Sequence, residues 1–269
     1  MYHGIDFSGA ARPGDDIWLA SARPTDDGLR VDSCVSAGER FGVTGREAVL
    51  DALRAWLAEV EGVAGLDVSF GLPRVLVPTD ARDSWPAFLR WFAATFIEDD
   101  GKSMQADLKE RARASGVDGI ELKRRTDGPT GASSPYSFIT RYQTLHGIRD
   151  VLAPLVLDGQ VGVAPMAPSE ESTLCEIYPA ATLRALGLPD EQYKGNKHDG
   201  ERTRREEIVA GLREWGVAMD GALVERLVDE SGGDALDAVV GTVAVARAVE
   251  HEFAVEEERY DPLEGYIYS

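Results

Sequence analysis

The order of hydrophobic patterns in the first seventy residues restricts the fold more than any other feature of this sequence. Three strand-like segments come first, at residues 3–7, 16–21 and 29–35. The hydrophobic period then becomes that of a helix over residues 49–60, and a fourth strand begins at Leu66. Hairpin strands followed by a helical crossover are typical of a mixed sheet covered by helices. The sequence therefore predicts an α/β fold.

The middle of the chain lacks this regularity. Residues 85–97 predict an aromatic-rich helix, whereas residues 128–137 have the glycine, proline and serine content of a loop. Because no linker-like composition brackets residues 85–165, we interpret them as a mostly helical insertion or lid within a single domain, 1–269. Beyond it, the pattern predicts a strand at 173–178 and a long apolar helix at 234–250.

The charge composition limits the classes of partner. The chain carries 47 acidic and 28 basic side chains, a net charge of −19, and only five lysines. This excess of acid with few lysines is typical of a halophilic protein, whose surface charges are screened by salt; an acidic protein without that adaptation is the alternative. Such a surface does not attract nucleic acid at long range.

The sequence also predicts the cellular setting. It contains no apolar stretch of about 18 residues, so no membrane span is predicted. The N-terminus lacks the pattern of a signal peptide. Cys34 and Cys175 are too few for a disulfide framework, and their place in predicted strands favours buried thiols. We therefore expect a cytoplasmic protein.

Carboxylates occur within several segments predicted to form the core. They are Asp6 in the first strand, Asp67 in the fourth, Glu176 in the strand at 173–178, and Asp237 in the last helix with Asp234 before it. An unpaired carboxylate is costly to bury, so each requires a partner or a cation. Converging carboxylate oxygens favour Mg²⁺ or Mn²⁺, ions that activate water and stabilise a phosphoryl transition state. The small residues 8–10 after Asp6 are expected to leave room for a ligand.

Each of these carboxylates other than Asp6 also has a structural interpretation. Asp234 is suited to cap the last helix, and Asp237 is an acid that the helix dipole favours in the first turn. Asp67 is able to accept a bond from a neighbouring backbone group. Glu176 is able to pair with an arginine such as Arg184.

Two short basic segments, 123–125 and 194–205, interrupt the acidic background. The second supplies the candidate phosphate-binding residues Lys194, Lys197, Arg202 and Arg205. Charge-assisted hydrogen bonds from such side chains hold phosphate groups. Ion pairs between the start of a solvated helix and its neighbouring glutamates explain the second segment equally well.

Several other kinds of site are excluded or disfavoured. Residues 4–10 lack the spaced glycines of a Rossmann loop and the Gly-Lys-Ser/Thr ending of a Walker loop, and no Gly-x-Ser-x-Gly elbow occurs. The four histidines show no metal-ligand spacing. Residues 4–10 are also similar to the phosphate hairpin of actin-like ATP phosphotransferases, but that fold requires a second glycine-rich phosphate loop, and no good copy is present.

Six motifs, in sequence order, resemble those of domain-of-unknown-function family 429, a group of predicted nucleases with an RNase H-like fold. They are GIDFSGA (4–10), LDVSFGLP (66–73), EIYPAATLRALGLP (176–189), YKGNKHDGERTRREEI (193–208), DALDAVVGTVAVARA (234–248) and EGYIY (264–268). The acidic, lysine-poor composition is similar to that of haloarchaeal members. The FSGA turn departs from the more polar turn of common members, which affects substrate details and not the aspartate.

The resemblance implies a five-stranded mixed sheet with helices on both faces and a carboxylate cluster that binds divalent metal. It implies that Asp6, Asp67 and Asp237 are metal ligands, with Asp234 as a supporting or alternate ligand. Glu176 belongs to a Glu-x-Tyr-Pro motif, and the resemblance makes it a further ligand or a residue that orients water.

Within the basic segment, Lys197 and Arg202 match family positions, and Lys194 and Arg205 complete the predicted phosphate-binding set. The sequence thus predicts a nuclease that uses Mg²⁺ or Mn²⁺ to hydrolyse DNA or RNA. A nucleotide-binding or nucleic-acid-binding module of the same fold without catalysis is the alternative.

Overall fold

The computed structural model describes residues 1–169, 173–195 and 199–269. Within these residues, eight strands form one mixed sheet: β1 (Tyr2–Asp6), β2 (Trp18–Thr25), β3 (Gly28–Ser36), β4 (Val63–Asp67), β5 (Gly162–Ala164), β6 (Thr173–Ile177), β7 (Val217–Ala218) and β8 (Ile267–Tyr268). The strand order is β5-β6-β4-β1-β2-β3-β7, and β8 pairs with β6 beyond the end of β5. The β1–β2 and β2–β3 pairs are antiparallel, and the other pairs are parallel.

The α/β class and the mixed sheet are confirmed, but the prediction of five strands was wrong. The five longer strands are those expected, and β5, β7 and β8 extend the sheet at its edges. Each added strand has only two or three residues. The short apolar run at 161–164 does predict a strand where β5 lies, but segments as short as β7 and β8 cannot display the period-two alternation by which a strand is recognised in a sequence.

The helices of the described chain lie between β3 and β4, between β4 and β5, between β6 and β7 and between β7 and β8. They are α1 (Ala37–Phe41), α2 (Arg46–Glu59), α3 (Trp85–Thr95), α4 (Gly101–Ala114), α5 (Asp127–Thr130), α6 (Arg141–His146), α7 (Ala153–Leu157), α8 (Pro179–Ala185), α9 (Asp199–Glu214), α10 (Gly221–Asp229) and α11 (Asp234–Glu250). A π-helical segment, Gly147–Leu152, joins α6 to α7. None of the described helices is both long and apolar enough to span a bilayer.

Three hydrophobic core clusters cover the two faces of the described sheet, one on the face that packs against α2, α3 and α6 and two on the face covered by α11. On one face, Leu53 of α2, Phe92 of α3 and Leu145 of α6 share a core with Ile5 of β1 and Leu66 of β4. The aromatic helix predicted at 85–97 is therefore present and packs against the sheet. We call residues 85–165 the insertion after that prediction, and their role as an insertion or lid within one domain stays a prediction.

The opposite face is covered mainly by α11. Val239 of α11 shares its core with Ile208 of α9 and Leu227 of α10. The strand residues Ala20 and Val31 belong to the same core. Helices thus cover both faces, and α11 forms the layer that carries Asp237 toward the strands.

Glycine at two positions allows α11 to lie directly on the central strand. A Cβ atom added to Gly4 would collide with the backbone of α11 at Ala238, and one added to Gly241 would lie 3.0 Å from the Cα atom of Gly4. Asp6 lies two residues after Gly4, so it points to the same face of the sheet. Asp237 lies four residues before Gly241, so it lies on the helix face that contacts the sheet.

A third glycine accommodates the insertion. A Cβ atom on Gly9 would collide with the backbone of Tyr142 in α6. The small residues 8–10 were expected to leave room for a ligand. At Gly9, helix α6 fills that room. The insertion therefore forms one wall beside the carboxyl end of β1.

Candidate carboxylate site

Asp6 and Asp67 lie side by side at the carboxyl ends of two parallel strands. They are register partners, Asp6 as the last residue of β1 and Asp67 as the last residue of β4. Gln143 of α6 donates one hydrogen bond to the Phe7 carbonyl at 2.9 Å and another to the Asp67 carbonyl. The insertion thereby holds the two strand ends together.

Three carboxylates converge where α11 begins above the end of β1. Asp6, Asp234 and Asp237 each offer an oxygen atom, and these atoms all lie within 4.8 Å of one another. We call this group the aspartate cluster. Asp67 is outside this group, so the cluster matches three of the four predicted metal ligands.

Asp6 is the member of the cluster whose charge is least compensated. Its side chain is 8% exposed, and no hydrogen bond or ion pair to its carboxylate occurs among the described residues. A buried carboxylate without a donor is energetically costly unless it is protonated or bound to a cation. The oxygen that it directs into the cluster therefore indicates a cation site.

The pKa values of the strand carboxyls reflect this environment. Burial raises the pKa of Asp6 well above its usual range, and the negative charges of Asp237 and Asp234 raise it further, against the effect of Lys194. Burial and the charge of Asp237 raise the pKa of Asp67 to about 8. A divalent cation would favour the ionised forms of all these groups, and hard oxygen donors suit Mg²⁺ or Mn²⁺.

Lys194 places an ammonium group among these oxygens. Its Nζ lies 2.5 Å from Oδ2 of Asp237 and 3.3 Å from Oδ1 of Asp234. Burial disfavours the ammonium, but the carboxylates of Asp237 and Asp6 outweigh that effect and raise the pKa of Lys194. The predicted phosphate-binding lysine thus contacts the cluster itself.

Tyr193 supports the other side of Asp237. Its hydroxyl donates to Oδ1 of Asp237 at 2.7 Å. Burial and the nearby charge of Asp237 raise the pKa of Tyr193, so the hydroxyl keeps its proton and remains a donor. Both oxygens of Asp237 therefore have a partner, whereas those of Asp6 have none among the residues that the structure describes.

Capping of α11 does not explain its two aspartates. The N-cap residue is Gly233, with φ of 80°, so the alternative that Asp234 caps the helix was wrong. The carboxylate of Glu230 accepts hydrogen bonds from the backbone N–H groups of Gly232 and Ala235. Asp234 and Asp237 both lie in the first turn of α11, as the helix-dipole alternative for Asp237 expected, and their carboxylates converge with that of Asp6.

Glu176 lies beside the cluster and is held by the insertion. Arg124 donates to both of its oxygens, at 2.5 Å and 2.8 Å, and the Phe70 N–H donates at 3.1 Å. Arg124 also pairs with Asp127 at 2.7 Å, and all three charged side chains are almost fully buried. Burial raises the pKa of Glu176, and the adjacent guanidinium opposes the rise.

The arginine that pairs with Glu176 is therefore not the one that the sequence suggested. Arg184 instead forms an ion pair with Asp190 and donates to the Thr130 carbonyl.

The other predicted phosphate-binding residues have different surroundings. Arg202 is exposed and pairs with Asp229 at 2.5 Å and Glu206 at 3.2 Å. Arg205 is buried and donates to the carbonyl groups of Val228, Tyr193 and Gly195, so it fixes the backbone on both sides of Lys194. Lys197 lies outside the described residues.

Comparison with known protein families gives one match. Residues 154–259 match the family model described as Protein of unknown function (DUF429). The match supports this chain as a DUF429 family member. It confirms the family that the ordered motifs indicated, and its description names no activity. No curated protein and no solved structure matches the chain.

The DUF429 match covers only part of the candidate site. It includes Glu176, Lys194, Asp234 and Asp237, whereas Asp6 and Asp67 precede it. The aspartate cluster is therefore assembled from a strand outside the matched region and a helix within it.

Two clefts meet at the carboxyl ends of β4 and β6. One has a volume of about 400 Å³ and is lined by residues that include Asp67, Tyr178, Tyr193, Lys194 and Asp237. The other, of about 260 Å³, lies under the insertion and is lined by residues that include Asp67, Glu176, Tyr178, Ser133, Thr140 and Gln143. Asp67 and Tyr178 border both clefts. A larger cleft of about 590 Å³ is lined in part by Lys123 and Arg125, and no residue of the aspartate cluster lines it.

Three residues of this region were not predicted from the sequence. Tyr193 has a local signal, since it precedes Lys194 within a family motif. Arg124 was recognised only as part of a basic segment, and Gln143 had no signal. Both come from the insertion, so only the folded chain brings them to the strand ends.

Proposed function

We propose that this DUF429 protein is a metal-dependent phosphodiesterase that hydrolyses nucleic acid, with Mg²⁺ or Mn²⁺ held by Asp6, Asp234 and Asp237. One observation carries the proposal: three carboxylates from two separate core elements converge within 4.8 Å, and the buried strand carboxylate among them, Asp6, has no donor among the described residues. When bound, such an ion supplies an electrophile for a phosphate oxygen and an activated water.

Residues of the chain itself would orient the substrate. Asp67 borders both clefts next to Asp6, so it is suited to orient the attacking water or to exchange a proton with it. Lys194 contacts the cluster directly and is suited to bind a phosphate oxygen. Gln143 would act as a positioning residue because it holds the ends of β1 and β4.

The charge of the protein restricts how a nucleic acid would bind. At a net charge of −19, the surface repels a polyanion at long range. Affinity would depend on short contacts within the two clefts and on the cation. Cleavage that persists at high salt is the expected behaviour, since few of the contacts would be long-range ionic attractions.

The test is cleavage by the purified full chain. Labelled single-stranded and double-stranded DNA and RNA are incubated with Mn²⁺ or Mg²⁺ across a range of KCl concentrations. We expect cleavage of at least one substrate, and we expect Asp6→Asn to abolish it. Asp32→Asn is the matched control, because Asp32 forms surface ion pairs on β3 away from the cluster. Equal cleavage by Asp6→Asn, or none by the unaltered chain, would contradict the proposal.

One observation favours a second candidate function. The ammonium of Lys194 already neutralises part of the aspartate cluster, as in a site that needs no metal. The chain would then be a nucleotide-binding or nucleic-acid-binding module without catalysis. Calorimetric binding of a nucleotide or oligonucleotide without metal, together with no turnover, would support this function over the first.

A further inference from the structure

The ammonium of Lys194 and a divalent cation at the aspartate cluster would compete for the same carboxylate groups. Nζ contacts Oδ2 of Asp237 and Oδ1 of Asp234, two of the three residues that converge. One positive charge faces three carboxylates, and Asp6 has no donor of its own among the described residues. The lysine therefore compensates the cluster only in part.

The contact of Lys194 can be broken without moving its backbone. Its side chain is 48% exposed, whereas that of Asp237 is 4% exposed. The backbone around it is fixed, since Arg205 donates to the carbonyls of Tyr193 and Gly195, and the Gly195 N–H donates to the Ser231 carbonyl at 2.6 Å. Rotation of a flexible four-carbon stem is enough to move the ammonium from the carboxylates into the adjoining cleft.

We propose that Lys194 is an exchangeable counter-ion: a divalent cation displaces its ammonium from Asp237 and Asp234, and the freed ammonium then binds a phosphate oxygen of the substrate in the 400 Å³ cleft. This inference rests on the proposed function, because it assigns the phosphate-binding step to the same site. It explains why a lysine that contacts two of the candidate metal ligands is half exposed. Without divalent metal, the ammonium stabilises the carboxylates of the cluster. With metal bound, the ammonium binds a phosphate oxygen of the substrate.

Lysine signals in the unaltered chain test the exchange directly. The sequence has five lysines, so a sample labelled with ¹³C at lysine Cε gives five sets of side-chain signals, which are assigned by replacing each lysine with arginine in turn. We expect Mg²⁺ to shift the Lys194 signal and to leave those of Lys102, Lys109 and Lys123 in place. A Lys194 signal that stays unchanged at saturating Mg²⁺ would overturn the proposal.

A pair of variants tests the competition by metal affinity. Lys194→Met removes the charge and keeps the length of the side chain, and Lys109→Met removes a lysine that pairs with Glu121 at 2.7 Å away from the cluster. By calorimetry with Mn²⁺ alone, we expect Lys194→Met to bind about tenfold tighter than the unaltered chain, and Lys109→Met to bind equally. We also expect Mn²⁺ to raise the Tm of Lys194→Met by more degrees than it raises the Tm of the unaltered chain. Equal affinity in all three proteins, or no Mn²⁺ binding by any, would overturn the proposal.

Different results would contradict the two proposals. If Mg²⁺ shifts the Lys194 signal but the chain cleaves no nucleic acid, the nuclease proposal is wrong and the exchange proposal is supported. If the chain cleaves nucleic acid with metal but the Lys194 signal does not change, the nuclease proposal is supported and the exchange proposal is wrong. If Lys194→Met does not fold, the lysine signals of the unaltered chain decide the question.

Discussion

A Cβ atom on Gly241 of α11 would lie 3.0 Å from the Cα atom of Gly4 in β1, so helix and strand touch through their backbones. This approach sets the height of α11 above the sheet. Asp6 lies two residues after Gly4, on the same face of β1. Asp237 lies four residues before Gly241, on the same face of α11. The close approach therefore determines whether the carboxylates of the cluster meet.

Gly4→Ala is expected to destabilise the fold by about 2–3 kcal/mol, because the added methyl group would overlap the α11 backbone at Ala238 and Thr242. Urea unfolding measures the change. Gly221→Ala is the control, since a Cβ at this first residue of α10 would meet open space. An equal loss of stability in the two variants would show that the contact between helix and strand is not close.

Arg124→Met is expected to cost about 3–5 kcal/mol of unfolding free energy, because it leaves the buried carboxylates of Glu176 and Asp127 without their counter-ion. Denaturant titration measures the loss. Arg125→Met is the neighbouring control, because Arg125 is exposed and its side chain makes only a 3.5 Å contact with the Tyr260 carbonyl. A stability close to that of the unaltered chain would refute the structural role of Arg124.

Asp150 is expected to contribute to stability at neutral pH and to lose that contribution in acid. Burial acts to raise the pKa of Asp150, but hydrogen bonds from His146 and Arg149 outweigh it and lower the pKa to about 2. A depressed pKa in the folded state stabilises the fold above the ordinary pKa near 4, and the effect disappears as the pH falls from about 4 to about 2.

Asp150→Asn should therefore lower the unfolding free energy by about 2 kcal/mol at pH 7 and by much less at pH 2. Denaturant titrations at several pH values give both differences. Asp158→Asn, at an exposed position just after α7, is expected to change little at either pH. A difference between Asp150→Asn and the unaltered chain that is the same at pH 7 and pH 2 would contradict this assignment.

Both thiols are expected to be unreactive in the folded protein. Cys34 and Cys175 are buried and free, and burial raises the pKa of Cys34 to about 12 and also raises the pKa of Cys175. A thiol reagent at pH 8 should therefore label neither cysteine until denaturant is added, after which it should label both. Rapid labelling of either cysteine in the native protein would contradict the burial.

Part of the candidate site could be predicted because its signals are local. Alternation in a strand places Asp6 and Asp67 at strand ends, and the small residue Gly241 after Asp237 indicates a helix face that approaches a sheet. Cys34 and Cys175 were likewise expected to be buried from their strand positions, and they are. Each of these inferences uses residues within a few positions of one another, where periodicity determines which face a side chain occupies.

The remaining features depended on the tertiary structure. The sequence by itself determined the α/β class, the longer strands and the elements that carry the carboxylates. Only the folded chain decided that Arg124 captures Glu176, that Gln143 ties the ends of β1 and β4, and that Lys194 lies between Asp234 and Asp237. Hydrophobic periodicity fixes local backbone geometry, whereas the partner of a buried charge is chosen by which side chains reach it after distant elements have packed.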